Sequence, residues 1–300
     1  MFVEALVRLL VAEHKKKPIS GNVLALGKQS VAVSLPKIKE IFKESGCEIN
    51  PKFQEKYDKN TRYRAGGLDD EALLSMFGNV NYQTMDVSDY ENASIIHNLN
   101  NPIPKELEGQ FDYIIDGGTF DHLFDLKTCF ENVTKLLKPG GRIFQWNAAS
   151  NYANAGYLSF SADFFYDYYT LNKFANCRTF FATSHSMGSQ NWYFFEFIPP
   201  SNSKGYSCFK QSYSHVMVIV LAEKGMDSTA HRMPVQLQYR DENLRGEYQK
   251  NSEKFENSTT GPLKLKTISL KQIQMPLKYK LLHLFEPNPC KSAYHKIGWL

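Results

Sequence analysis

The chain has 300 residues, 42% of them hydrophobic and 14% aromatic, enough to bury a substantial core in one elaborated domain or two small ones. Its five cysteines are scattered without a CxxC pair, which argues against a disulfide framework or a cysteine zinc cluster and indicates a reducing, cytoplasmic setting. The formal net charge of +4 is a weak signal for nucleic-acid binding. No apolar run approaches the roughly 18 residues that a membrane-spanning helix requires.

The first part of the chain alternates between helix-like and strand-like segments. An amphipathic opening segment predicts a first helix, because charged residues interrupt its apolar stretch and its lysines follow that stretch, the reverse of a signal peptide. Asn22 to Val33 contains an apolar strand that ends at Gly27, and Leu35 to Glu44 has a helical pattern. Residues 46–70 are polar and lack a clear period, so we expect an inserted loop there.

The same alternation continues beyond this loop. Glu71 to Phe77 predicts a short helix, Asn81 to Val87 a strand ending at Asp86, and Ala93 to His97 another short element. Strands that alternate with helices favour a parallel α/β sheet.

The stretch from Phe111 to Trp146 has the clearest pattern in the chain. A short apolar strand, Phe111 to Ile115, is stopped by Asp116 and two glycines, and apolar residues then recur at helical spacing from Phe120 to Leu137. Lys-Pro-Gly-Gly breaks that helix, and Arg142 to Trp146 resumes as a strand. This is a βαβ unit, in which ligands bind outside the carboxyl ends of the strands.

The next segment is unusually aromatic. Ser159 to Phe174 holds seven Phe and Tyr residues in sixteen positions, and we expect most of them in the core and some at a cavity or interface. Three strand-like runs follow, Arg178 to Ser184, Trp192 to Ile198 and His215 to Ala222. The predicted fold is therefore a Rossmann-like, doubly wound, mostly parallel sheet with an antiparallel edge strand, in one domain over residues 1–225.

Residues 226–300 form a polar segment followed by a basic extension. The part up to Gly261 is charge-mixed, which is typical of disorder or of a surface helix. From Leu263 to Leu300 there are seven lysines and one acid, Glu286, so this tail carries +6 and the remainder of the chain −2. The pattern permits contact with an anionic membrane surface or an acidic partner, but it favours a packed C-terminal helix with solvated lysines.

The order of these motifs resembles that of the class I methyltransferases that use S-adenosylmethionine, over roughly residues 20–225. The resemblance rests on VLALGKQ, NYQTMDVSDYENA, IIHNLN, FDYIIDGG and LLKPGGRIF, of which the last two are the most specific. It implies S-adenosylmethionine as cofactor and methyl transfer to an acceptor, with O-methylation of a small-molecule or glycan hydroxyl as the expected reaction.

The resemblance also implies a first cofactor contact at the turn after the first strand. Gly27 would let the backbone pass close to the methionine part of the cofactor, because a side chain there would occupy the ligand's space. The family usually repeats glycine after this position, whereas Lys28, Gln29 and Ser30 follow here. Gln29 is then the candidate to hydrogen-bond the amino acid end of the cofactor.

Five further candidate cofactor contacts follow from the resemblance. Asp86 would accept hydrogen bonds from both ribose hydroxyls through its paired oxygens. Asn98 stands where related sequences often have Asp and would accept the adenine amino group, with Leu99 and Tyr90 flanking the ring. Asp116 would orient the ammonium group of the cofactor.

The candidate catalytic residues are His122 and Asp121. A hydroxyl nucleophile has to lose a proton, and an imidazole titrates near neutral pH, so His122 is the predicted general base with Asp121 beside it. Asn147, Tyr152 and the cluster Phe164 to Tyr169 follow the fifth strand, where the acceptor pocket is expected. No metal-binding spacing is present in the sequence.

Two other classes stay open. A methyltransferase-like domain that has lost catalysis and serves as a binding or scaffold protein is favoured by the degenerate loop after Gly27 and by Asn98. A nucleotide-sugar or NAD enzyme is compatible with the βαβ order but ranks last, because GxGxxG is missing after the first strand.

Overall fold

The structure is a computed structural model, which describes residues 1–58, 67–184, 192–199 and 215–255 and the backbone of one further strand at 294–299. Over these residues a single sheet of nine strands forms the centre of the fold. The strands are β1 (Gly21–Leu26), β2 (Val80–Asp86), β3 (Ile95–Ile96), β4 (Phe111–Asp116), β5 (Leu137–Ser150), β6 (Ala175–Ser184), β7 (Tyr193–Phe197), β8 (His215–Glu223) and β9 (Tyr294–Trp299).

The strand order is β3-β2-β1-β4-β5-β8-β6-β7-β9. The first five strands in this order are mutually parallel, and each later strand pairs antiparallel with its neighbour. The predicted fold class, a doubly wound and mostly parallel sheet with an antiparallel edge, is confirmed. The antiparallel part is larger than the predicted edge strand, because it contains β8, β6, β7 and β9.

The short connection between β6 and β7 gives a physical reason for this larger antiparallel part. Residues 185–192 separate the two strands, whereas a parallel pair needs a crossover of about a dozen residues or more, usually a helix. The sequence showed all three strand-like runs, but their pairing order depends on contacts between distant segments.

Helices cover both faces of the sheet. They are α1 (Glu4–Lys16), α2 (Leu35–Ser45), α3 (Asp70–Ser75), α4 (Leu126–Leu136), α5 (Ala162–Leu171) and α6 (Glu242–Ser252). One buried apolar cluster joins the sheet to α1, α2 and α3, and a second joins the opposite face to α4 and α5. Parallel strands buried on both faces are expected to be apolar over their buried stretch, as Val23 to Leu26 of β1 and Tyr113 to Ile115 of β4 are.

The predicted helix at Phe120 begins later than its spacing indicated. Phe120–His122 is a short 3-10 turn, and α4 begins only after Asp125, whose side chain accepts a hydrogen bond from Thr128 N at 3.0 Å. Such a cap satisfies a backbone N–H that the first helical turn leaves without a partner. As a result Asp121 and His122 lie in the turn between strand and helix.

The aromatic segment forms α5 and belongs mostly to the core, as predicted. Phe165, Tyr168 and Tyr169 are almost fully buried, and Tyr168 stacks on Phe130 of α4 at a centroid distance of 4.1 Å. The helix is buried on more than one face because α6 packs against it from outside. A buried ion pair between Arg240 and Asp167 fixes the start of α6 on α5.

The polar stretch that sequence left open between disorder and a surface helix thus contains α6. The described part of the chain has no helix long and apolar enough to cross a membrane. Residues 59–66 of the predicted loop and most of the basic tail lie outside the described residues. The predicted contacts of the tail and the domain boundary at residue 225 therefore stay predictions.

Candidate active site

The carboxyl ends of the parallel strands bring the predicted site residues to one edge of the sheet. Gly27 follows β1, Asp86 ends β2, Asp116 ends β4 and Asn147 lies near the end of β5. In open α/β sheets this edge is where ligands bind.

Gly27 and Asp86 face each other across the first turn. Gly27 has φ +72°, a left-handed conformation that side chains disfavour, and its N–H donates to Met85 O at 2.8 Å. A Cβ built on Gly27 would lie 3.7 Å from Asp86 Oδ2 and 3.5 Å from Thr119 Oγ1. The first turn therefore lies beside the end of β2, and the predicted contact of Gly27 with the cofactor stays a prediction.

Asp86 keeps one oxygen available. Its Oδ1 accepts from Val87 N at 2.6 Å, whereas its Oδ2 has no hydrogen-bond donor among the described residues. The side chain is half-buried, so this oxygen is accessible beside Gly27. A carboxylate oxygen can accept hydrogen bonds from hydroxyls, so the free Oδ2 is compatible with the predicted ribose contact of Asp86, which stays a prediction.

The loop after Gly27 uses its polar groups internally. Gln29 is buried, and its Nε2 donates to Gly27 O at 3.3 Å and to Leu26 O at 3.4 Å. Its Oε1 accepts from Met1 N at 2.9 Å and would lie 1.9 Å from a Cβ on Gly117, so only glycine fits beneath it. The predicted contact of Gln29 with the cofactor stays a prediction, and its amide already has partners within the chain.

Asp70 anchors this loop and was not identified from the sequence. Its Oδ2 accepts from Gln29 N and from the Tyr82 hydroxyl, both at 2.6 Å. Burial raises the pKa of Asp70 to about 6. Next to it, Asp69 pairs with Lys28 at 3.2 Å. The only sequence signal was an acidic pair before a short helix, which indicates a helix N-cap, and Asp69 does cap α3.

Asp116 is fully enclosed and fully hydrogen-bonded. Its Oδ1 accepts from Thr119 N at 2.7 Å and Gly118 N at 3.2 Å, and its Oδ2 accepts from Asn147 Nδ2 at 2.9 Å and Gln145 Nε2 at 3.1 Å. Burial raises its pKa, and these donors oppose that rise. A carboxylate offers about four lone-pair sites, so Asp116 holds the turn to β5 with little capacity left for a ligand.

Asp121 is the contrasting case. Its side chain is 6% exposed, its Oδ2 accepts a long bond from Ala148 N at 3.4 Å, and its Oδ1 is buried without a partner in the described structure. Burial, followed by the nearby Asp116 carboxylate, raises the pKa of Asp121 to about 6. Asn147 shows the same pattern, since its Nδ2 is used on Asp116 and its Oδ1 is buried without a partner.

His122 and Asp121, the two candidate catalytic residues, lie in different environments. Its side chain is exposed while that of Asp121 is buried, because the 3-10 turn directs adjacent side chains differently. The hydrogen bonds of the described residues include none between the two side chains, and His122 N donates to Thr119 O at 3.0 Å. The predicted role of His122 as base stays a prediction.

The predicted adenine contacts separate into two environments. Asn98 is exposed, and its Oδ1 accepts from both Asn100 N and Asn100 Nδ2 at 3.0 Å. Leu99 is 4% exposed and packs in the core, while Asn132 Nδ2 donates to its carbonyl at 3.0 Å. Tyr90 is 85% exposed. The structure therefore places Leu99 beneath this edge and leaves Asn98 and Tyr90 on its surface.

An exposed aromatic pair borders the site and was missed in the sequence. Phe124 and Tyr157 are 79% and 70% exposed, yet their rings contact each other with centroids 4.9 Å apart. Tyr157 N donates to Asp121 O at 2.7 Å, which fixes this pair next to Asp121. Phe124 lies within the apolar spacing from Phe120 to Leu137, so the sequence pattern gave no sign of its exposure.

Comparisons with known proteins give matches of fold. No protein-family model and no curated protein sequence matches the chain. The CMeT domain of the citrinin polyketide synthase covers 74% of this chain at 9% identity and a TM-score of 0.38, and this chain spans 52% of its length.

A SAM-dependent methyltransferase from Archaeoglobus fulgidus covers 74% of this chain and 95% of its own, at 9% identity and a TM-score of 0.36. A putative Zn-dependent alcohol dehydrogenase from Rhodobacter sphaeroides covers 48% of this chain and 46% of its own, at 10% identity and a TM-score of 0.27. Methyltransferases are among the similar structures, as the sequence resemblance predicts, and the similarity concerns the fold alone.

Proposed function

We propose that the protein is an S-adenosylmethionine-dependent methyltransferase that acts on a small-molecule acceptor. The observation that carries the proposal is the meeting of Gly27, with its left-handed backbone, and the free Oδ2 of Asp86 at the carboxyl edge of β1 and β2. The motif order in the sequence supports the same assignment.

The residues at this edge have separate tasks in the proposal. Asp86 holds the ribose hydroxyls, and Gly27 keeps the first turn clear of the cofactor. When bound, S-adenosylmethionine supplies a methyl group on a sulfonium, which the acceptor takes while the broken S–C bond leaves its electrons on sulfur. Asp116 keeps the turn after β4 attached to β5, so that Asp121 faces the acceptor with fixed geometry.

Asp121 is better placed than His122 to receive the acceptor's proton. Its Oδ1 is buried and free, and the raised pKa of about 6 brings this carboxyl closer to neutral pH, where a general base works well. His122 has an exposed ring outside this buried cluster. A hydroxyl of a small molecule or glycan, the acceptor expected from the sequence resemblance, would give up its proton to Asp121.

A second candidate is a methyltransferase-like binding protein without catalysis. Gln29 favours it, because this side chain lies against Gly117 and hydrogen-bonds the carbonyls of Leu26 and Gly27 where the family usually has a second glycine. If Gln29 occupies the space for the methionine part of S-adenosylmethionine, the protein would keep the carboxyl edge of the sheet but would not bind the cofactor.

Calorimetric titration with S-adenosylmethionine and S-adenosylhomocysteine separates the two candidates. We expect the wild type to bind both ligands, Asp86→Ala to lose binding, and Asp89→Ala to retain it. Asp89 is a suitable control because it is an exposed carboxylate in the same turn. Failure of the folded wild type to bind either ligand would refute the methyltransferase assignment and favour the binding protein.

A further inference from the structure

Among the described residues, two buried oxygens near the end of β4 lack hydrogen-bond donors. They are Asp121 Oδ1 and Asn147 Oδ1, on side chains that are 6% and 2% exposed. The orientation of the Asn147 amide is set by chemistry, since its Nδ2 has to face the Asp116 carboxylate. Buried acceptors in folded proteins nearly always have a donor, so this cluster is incomplete by itself.

The cluster is also rich in negative charge. Asp116 and Asp121 are both buried, and neither forms an ion pair with a side chain in the described part of the chain. The groups that face Asp121 are the Asp116 carboxylate, the exposed His122 and the Tyr152 phenol. The Met1 amino group interacts with both carboxylates at longer range, but its hydrogen bond goes to Gln29.

These two properties distinguish between acceptor groups. A hydroxyl has one hydrogen to donate and no charge, so it would satisfy one oxygen and leave the negative charge unbalanced. A protonated amine has several N–H donors and a positive charge, which match the free oxygens and the buried carboxylates.

The border of the cluster indicates what carries this group. Tyr157 N and Leu158 N both donate to Asp121 O, at 2.7 and 3.1 Å, and a Cβ on Gly156 would lie 2.9 Å from that oxygen. This packing holds the backbone of Tyr157 against that of Asp121, and the exposed ring of Tyr157 contacts that of Phe124, three residues after Asp121. Two exposed rings in contact offer a surface on which another flat ring can stack.

We propose that the acceptor is an amine on an aromatic ring system, with its amino group at Asp121 Oδ1 and its ring against Phe124 and Tyr157. The inference rests on the proposed function, and it replaces the hydroxyl acceptor expected from the sequence with an amine. Asn147 Oδ1 supplies a further acceptor in the same cluster, and Asp116 adds negative potential. Before transfer the bound ammonium would give one proton to Asp121, which frees the lone pair of its nitrogen. That lone pair would form the new N–C bond to the methyl group while the S–C bond breaks and leaves its electrons on sulfur, so that the product is a methylated ammonium.

Three probes of similar size test the inference by calorimetry in the presence of S-adenosylhomocysteine. They are phenethylamine, 2-phenylethanol and 2-cyclohexylethylamine. Relative to phenethylamine, 2-phenylethanol replaces the amine by a hydroxyl, and 2-cyclohexylethylamine replaces the aromatic ring by a saturated one. We expect phenethylamine to bind about tenfold or more tightly than either analogue, because the charged hydrogen bond and the ring contact each contribute at this level.

Variants connect these preferences to residues. Asp121→Asn, which keeps an acceptor for Ala148 N, is expected to remove the preference for amine over alcohol, and Phe124→Ala to remove the preference for the aromatic ring. Glu106→Gln, which changes an exposed carboxylate that precedes the amino end of β4, is expected to change neither. Phenethylamine binding by the wild type is expected to weaken below about pH 6, as Asp121 takes up a proton.

Each contrary result has a definite meaning. Equal binding of amine and alcohol, or absence of amine binding, refutes the inference while retained S-adenosylhomocysteine binding leaves the proposed function intact. A loss of S-adenosylhomocysteine affinity in Asp121→Asn as large as the loss of amine affinity also refutes it, because the free oxygen would then serve the cofactor's own amino group. Loss of cofactor binding in the wild type refutes the proposed function instead.

Discussion

The turn after β4 contains two buried carboxylates in opposite states. In its first part, Asp116 accepts four hydrogen bonds and joins the turn to β5. In its second part, Asp121 accepts one long bond and keeps a buried oxygen without a donor. Both carboxylates are buried, and their unequal hydrogen bonding separates one that supports the fold from one that is available to a ligand.

Substitution of Asp116, the carboxylate with four hydrogen bonds, is expected to have the largest effect on the free energy of unfolding. Asp116→Ala leaves the buried amides of Gln145 and Asn147 and two backbone N–H groups without their acceptor. We expect the free energy of unfolding to fall by about 3–5 kcal/mol, measured by urea denaturation, because unpaired buried donors retain their desolvation cost. A loss below about 1 kcal/mol would show that these groups find other partners, and Asp116 would then be free to serve the site.

Substitution of Asp121, in the second part of the turn, is expected to raise the free energy of unfolding at neutral pH. Because the pKa of Asp121 is raised from 3.8 to about 6, the folded protein binds this proton more tightly than the unfolded chain does. The wild type therefore loses stability as pH rises from about 4 through about 6, by at most about 3 kcal/mol for a shift of this size. Asp121→Asn removes this loss, so we expect the variant to be the more stable protein at pH 7.5.

Urea denaturation of both proteins at pH 7.5 and pH 5 tests this expectation. The advantage of Asp121→Asn should shrink at pH 5, where much of the wild-type carboxyl is protonated in the fold. A variant that is less stable than the wild type at pH 7.5 would mean that Asp121 has a structural role like that of Asp116.

The same contrast explains how much of the molecule could be predicted from sequence. The parallel strands and α2 followed from apolar runs and their breaks, because burial on a sheet face depends on local pattern. The late start of α4 did not, since Asp125 caps that helix while Phe120 remains in the core and continues the apolar spacing.

The position of the site could be predicted from the sequence, but the burial and the hydrogen bonding of its side chains could not. Motif order brought Gly27, Asp86 and Asp116 to one edge of the sheet. Adjacency in sequence suggested an Asp121–His122 pair, whereas the turn buries one side chain and exposes the other. The loop contacts of Asp70 depend on a partner 41 residues away, which no local pattern reveals.

Substitution of His122 is expected to have the smallest effect on the free energy of unfolding. Its exposed ring has no hydrogen-bond role in the described structure, so His122→Ala is expected to change the free energy of unfolding by no more than about 0.5 kcal/mol.

The charge of His122 also acts on Asp121. It lowers the pKa of that carboxyl slightly, against the larger effects of burial and of Asp116, which raise it. Removing the imidazole should therefore move the pH midpoint of Asp121 upward by a small amount. Titration of phenethylamine binding against pH in both proteins measures this shift. A large shift, or loss of binding at every pH, would place the imidazole in direct contact with the buried cluster and revive His122 as the base.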